Sequence, residues 1–296
     1  MHKYIFLFFI FMGTLGGCTP AEREIISGNG RIIDALNRPY LNELIPERII
    51  SLSPAVTEIL FAIGAGEKVV GVTEYCDYPE EALNKTSIGG FAGATMSLEQ
   101  IWSLEPDLVI LSADMHERIV MLLDELGISS FAVEPRNFSD VYDVINLIGF
   151  ITGFSENAEE LTENMKKRIA EVEVRIGGRP KPDLLWLLSE NPLMSVGRGT
   201  FVSQAIDLAG GRNIFDDVNE QWPLISPEQI LMRRPQWVIT EMQTGQSMSA
   251  GITMPFWQTL PAVRDGRVVE INTDLFYRYG PRLAEAVEIL SWILHP

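Results

Sequence analysis

Several short stretches of the chain are apolar almost without interruption and are bounded by turn residues. In the first half they are Arg48–Leu52, Val69–Thr73, Leu108–Ser112 and Phe131–Glu134. Runs of this length read as strands buried on both faces, not as half-exposed strands, which alternate. The segments between them carry helical signals: Ser53-Pro54 opens an apolar stretch that stops at Gly64, and helices follow at about 116–126 and 139–153. Strand and helix in alternation predict a parallel sheet covered on both sides. Upstream, Gly30–Leu52 reads as a small hairpin leading into the first strand. The pattern then changes. From Ser155, read as a helix cap, to Ile176, the residues Leu161, Met165, Ile169, Val172 and Ile176 recur at helical spacing, with acidic residues early and basic ones late. This is one long helix closed by Gly177-Gly178. Beyond it the alternation resumes with strands at Leu184–Leu188, Trp237–Glu241 and Val268–Ile271, a helix at Phe201–Leu208 and a last helix over about Pro281–Leu294. The predicted architecture is two α/β lobes, residues 31–154 and 179–296, bridged by a helix over 155–178.

A repeat supports two lobes. Ser97–Ile110 reads SLEQIWSLEPDLVI and Ser226–Ile239 reads SPEQILMRRPQWVI, matching without a gap at half their positions. Each is a short helix, a turn at Pro and a buried strand. Ser97 and Ser226 stand as N-caps with Gln100 and Gln229 three residues on, the spacing of a capping box. Each copy sets one glutamate, Glu99 or Glu228, in the helix's first turn.

The ends and the composition narrow the function. Met1-His2-Lys3 precedes an apolar run from Tyr4 to Leu15 and then Gly16-Gly17-Cys18. That order predicts a secretory signal over residues 1–17, lipid on Cys18 in the manner of a bacterial lipobox, and a polar tether over 18–30. The expected location is extracytoplasmic, with the membrane reached through the lipid alone. A net charge of −17 argues against nucleic acid, which needs a basic face. Only Cys76 accompanies Cys18, so no disulfide framework is expected, and three histidines argue against a His-rich metal site. A phosphate-cradling glycine loop, an HExxH helix, a cysteine cluster and a nucleophile elbow are all missing from the sequence. Neither catalysis nor a resident metal is expected.

Ligands of open α/β sheets bind beyond the carboxyl ends of strands. The loops in that position here hold Ser53, Tyr75, Ser112, Asn191, Gln243 and Asp274, with Phe91, Trp222, Phe276, Tyr277 and Tyr279 among the aromatics nearby. Tyr277 and Tyr279 also suit packing beneath the last helix. Trp102, Trp186, Trp237 and Trp292 fall in predicted helices or strands and read as core.

Arg48–Leu60, Val70–Thr73, the two echoed units, Gly210–Phe215 and Trp222–Ile230 together resemble the lipid-anchored substrate-binding proteins of ABC importers for cobalamin, iron–siderophores and haem. The resemblance spans about residues 30–294. It implies two α/β lobes with a ligand cleft between them, a monomer, and permease subunits as partners. The loops are most similar to those of cobalamin-binding members, which implies a cobalt corrinoid as ligand, with a siderophore or haem as the alternative. Carried over position by position, the ligand contacts are Tyr75, Phe91, Asn191, Met194, Trp222, Asp274, Phe276 and Arg278. Glu99 and Glu228 are implied as permease-docking carboxylates. The chain departs from the pattern at Ser112 and Met194, where aromatics are expected, and carries an insertion near Ala94-Thr95.

Overall fold

The computed structural model describes residues 32–41, 44–90, 95–243, 246–247 and 255–296. Residues 1–31, and with them Cys18, the signal and the tether, lie outside this set, as does Phe91. Where the hairpin was expected, the described residues pair only through a bridge between Ile33 and Pro39.

The first sheet holds β1 (Ile49–Ser51), β2 (Val69–Val72), β3 (Thr86–Ser87), β4 (Leu108–Ser112) and β5 (Ser130–Val133). All pairings are parallel, in the order β3-β2-β1-β4-β5. The covering helices are α1 (Pro54–Ala62), α2 (Leu98–Ser103), α3 (Ala113–Glu125) and α4 (Phe138–Thr152). The uninterrupted apolarity of β4 has a direct cause. Leu108 and Ile110 enter one apolar cluster and Val109 and Leu111 another, so helices close both faces.

Helix α5 (Ser155–Ile176) leads to the second sheet. Its N-cap is Phe154, not Ser155, and no side chain caps it; Gly177, at φ 53°, ends it. The turn between α4 and α5 is tight enough that a Cβ on Gly149 would lie 2.4 Å from that of Ala158. The second sheet comprises β6 (Asp183–Glu190), β7 (Leu193–Ser195), β8 (Arg212–Asn213), β9 (Trp237–Gln243), β10 (Gln246–Ser247) and β11 (Val268–Ile271). Strands β8, β6, β9 and β11 run parallel, while β7 and β10 are antiparallel additions that the sequence pattern did not announce. Around it lie α6 (Phe201–Leu208), α7 (Pro227–Arg233), α8 (Pro261–Arg264), α9 (Asp274–Tyr277) and α10 (Leu283–Leu294).

One apolar cluster crosses both lobes. It includes Ile49 and Ile110 of the first sheet, Ala158, Met165 and Val172 of α5, Trp186 of the second sheet, and Val287 and Leu290 of α10. Burial shared in this way resists any hinge that would expose it, because separated apolar surface costs about 25 cal/mol per Å². Arg168 of α5 reinforces the joint by a two-pronged contact with Glu288 of α10, Nε to Oε1 at 2.8 Å. Two tryptophans expected in the core are exposed instead: Trp102, and Trp292, whose ring lies under the Arg175 guanidinium at 3.8 Å. Trp186 is buried as expected.

The Arg168 hydrogen bonds hold the Glu288 carboxyl below its ordinary range against the opposing effect of burial. A carboxylate with a depressed folded-state pKa stabilises above its unfolded value, roughly 4.3, and that contribution is lost as pH falls through the folded value. Calorimetry from pH 6 down to pH 3 is expected to show a falling Tm, and Glu288→Gln a shallower fall; equal slopes would contradict it.

Candidate ligand cleft

The segment Thr273–Arg282 leaves the end of β11 and reaches the first lobe. Tyr279 hydroxyl is hydrogen-bonded to Ser112 Oγ at the end of β4 and lies 3.5 Å from Ser53 Oγ after β1. Strand ends of both lobes therefore meet across one segment, the position in which open α/β sheets hold ligands. Tyr277 and Tyr279 are only partly buried, and both use their hydroxyls here. Tyr277 accepts from Trp186 Nε1 at 3.1 Å, and burial pushes its pKa far up.

A charge cluster spans the lobes at the same place. Arg278 Nη1 donates to Asp77 Oδ1 at 2.6 Å and to Glu58 Oε1 at 3.2 Å, and its Nη2 donates to Asp274 Oδ2 at 2.9 Å. Arg282 Nε donates to Glu58 Oε2 at 2.9 Å, and its guanidinium stacks over the Tyr78 ring at 4.0 Å. The Glu58 side chain is only 1% exposed. Burial alone would raise the pKa of Asp77, but the Arg278 hydrogen bond and charge outweigh it, and the carboxyl is held low. The segment passes close to α1 at Gly280, where a Cβ would lie 3.1 Å from Glu58 Oε2.

Aromatic surface flanks this cluster. On the first lobe Tyr75 and Tyr78 are half-exposed; on the second Trp222 is 46% exposed and meets Tyr277 edge-on, ring centroids 6.2 Å apart. Residues 221–224 run beside 194–197 through the bonds Gly197 N to Gln221 O at 2.9 Å and Ser195 N to Pro223 O at 3.1 Å. Met194 pairs with Leu224 in that arrangement, two residues beyond Trp222. Asn191 is exposed at the turn after β6.

Of the expected contacts, Asp274 and Arg278 belong to the charge cluster, and Tyr75 stands two residues before its Asp77. Trp222 meets Tyr277, and Met194 is on the strand beside the Trp222 segment; together these make up the candidate surface. Phe276 is not part of it. It is fully buried, 4.8 Å from the Trp186 ring. Asp274 and Arg278 are four residues apart and share a face of α9, whereas Phe276, midway between them, points the opposite way into the core. Phe276 therefore supports the cleft from beneath. Glu58 was missed as the cluster's centre, although its signal was present: one acidic residue in the otherwise apolar PAVTEILFA helix requires a buried partner. Among the described residues no three His, Cys, Asp or Glu side chains are grouped to hold a metal ion.

Glu99 and Glu228 are exposed on α2 and α7, Glu228 only six positions after Trp222. Their helices are capped as the echo predicts at Ser226, where the reciprocal capping box forms; at Ser97 only the hydroxyl-to-Gln100 N half is made.

Comparison with known proteins places this geometry in a family. Residues 49–275 match the model of the periplasmic binding proteins. The chain is 31% identical over 244 residues to the vitamin B12-binding protein of Vibrio cholerae, covering 82% of this chain and 87% of that one. It is 30% identical to the ABC transporter substrate-binding lipoprotein YvrC of Bacillus subtilis, covering 95% and 93%. The solved periplasmic vitamin B12-binding protein of Vibrio cholerae superposes with a TM-score of 0.72 at 30% identity, covering 84% and 97%. The haem-binding protein RhuT of Roseiflexus does so with a TM-score of 0.74 at 27% identity, covering 84% and 98%. The chain belongs to the periplasmic binding protein family: it is an extracytoplasmic substrate-binding protein of ABC import and not an enzyme.

Proposed function

We propose that this chain captures a corrinoid and delivers it to the permease of an ABC importer, tethered to the membrane by lipid on Cys18. The observation that carries the reading is the charge of the cleft. Arg278 and Arg282 are matched by three carboxylates, Glu58, Asp77 and Asp274. A haem propionate or an anionic siderophore needs an available guanidinium to pair with, and these two are already occupied. A corrin ring asks for something else: flat apolar walls and hydrogen-bonding groups for its fringe of amides. Tyr75 and Trp222 supply walls, with Met194 as an adaptable one, and Asn191, Asp274 and Arg278 supply polar contacts. Phe91 is assigned to the same wall by resemblance alone. Glu99 and Glu228 dock the loaded protein on the permease, one carboxylate per lobe, fixing orientation more than affinity.

Calorimetric titration separates the candidate ligands. Cyanocobalamin is expected to bind at about micromolar Kd or tighter, and Trp222→Ala to weaken it roughly tenfold. Saturation by haem or a ferric siderophore with no response to cyanocobalamin would overturn the reading.

A further inference from the structure

The sixth position of each echoed unit is apolar and exposed, which the fold does not require. Trp102 in α2 is 63% exposed and Leu231 in α7 is 39% exposed. The core contact of each helix comes from the residue before: Ile101 is buried in a cluster of the first lobe and Ile230 in one of the second. Burial explains why these isoleucines recur. It does not explain a largely exposed indole and a partly exposed isobutyl group at the position that follows. Trp102 stands three residues after Glu99, and Leu231 three after Glu228, so each glutamate has an apolar neighbour on its own helix face. Met232, 83% exposed, widens the apolar surface of the second copy.

We infer that α2 and α7 each present a two-part docking patch to the permease, a carboxylate with an apolar anchor beside it. This rests on the assignment of Glu99 and Glu228 to docking and names the chemistry of the partner. Each half of the permease surface carries a cationic side chain next to an apolar recess. Charge selects this occupant over others. A second copy of a chain with net charge −17 would bring carboxylate against carboxylate, and an anionic lipid surface would repel the same groups. The two parts act differently. An exposed carboxylate steers and orients, whereas a large side chain that becomes fully desolvated holds the complex together. The indole of Trp102 buries more surface than Leu231, so the first-lobe contact is the tighter.

The test uses the full chain and the importer of its source organism in nanodiscs, identified as the one whose ATPase activity the wild-type chain stimulates. Trp102→Ala is expected to weaken complex formation about tenfold, and the Leu231→Ala/Met232→Ala pair severalfold, while cyanocobalamin affinity and Tm stay at wild-type values. If Glu99→Arg/Glu228→Arg abolishes the complex but the apolar variants bind like wild type, the anchors are refuted and glutamate docking survives. If none of the variants loses binding, both assignments fail. Light scattering that shows a wild-type dimer dissolved by Trp102→Ala would make the patch a self-association surface and overturn the inference.

Discussion

Reversing the charge at both Glu99 and Glu228 is expected to abolish import while leaving ligand capture intact. On the proposed docking, each substitution replaces attraction to a cationic partner by repulsion, and like charges juxtaposed across an interface cost several kcal/mol. Even about 1.4 kcal/mol per site makes a roughly hundredfold loss for the pair, with near-additive single variants because the sites are on different lobes. Ligand capture is expected to be spared because the proposed contacts are Tyr75, Trp222, Asp274 and Arg278, and none of the described hydrogen bonds joins either glutamate to them. Transport of radiolabelled cyanocobalamin in cells, beside equilibrium binding to the purified variant, measures both halves. Uptake at wild-type rates would show that docking lies elsewhere.

Glu58→Ala is expected to be the most damaging single change to stability. The carboxylate is buried and accepts from Arg278 and Arg282. Without it Arg278 keeps Asp77 and Asp274, whereas among the described residues Arg282 keeps only its stacking on Tyr78. Removing one partner of a buried ion pair costs about 3–5 kcal/mol, because the remaining charge is left desolvated. Glu58→Gln retains an acceptor and is expected to lose less. Urea unfolding gives the comparison; a loss below about 1 kcal/mol for Glu58→Ala would mean that water replaces the carboxylate at little cost. The loss is also expected to reach ligand binding, since the same cluster holds Arg278 and Asp274 at the cleft.

The longer parallel strands of both lobes were legible from their uninterrupted apolarity, whereas the short β3 and β8 and the antiparallel β7 and β10 were not. A run such as Leu108–Leu111 cannot be half-exposed in any arrangement, so its place in the middle of a covered sheet follows from the residues alone. Helix α5 was legible from its spacing and its glycine stop, although its first residue was misread as a cap. The exposed helical tryptophans, Trp102 and Trp292, were not legible. A tryptophan in a helix reads as core until the packed face is known, and α2 packs through Ile101 while Trp102 points to water. The reverse error occurred at Phe276, a loop aromatic by sequence that one turn of helix directs into the core.

The sequence by itself determined two lobes, a long helix between them, a repeated helix-turn-strand unit with one exposed glutamate per lobe, and strand-end loops rich in aromatic and charged residues. These depend on local periodicity, caps and turns, which act over a few residues. The tertiary structure alone decided which of those loop residues meet. Glu58 and Arg278 are 220 positions apart, and only the packing of α1 against the segment before α10 brings carboxylate and guanidinium together. Whether the cleft offers a spare positive charge, and so which ligands it can hold, depends on that pairing, because a charge is available to a ligand only when no protein group already neutralises it.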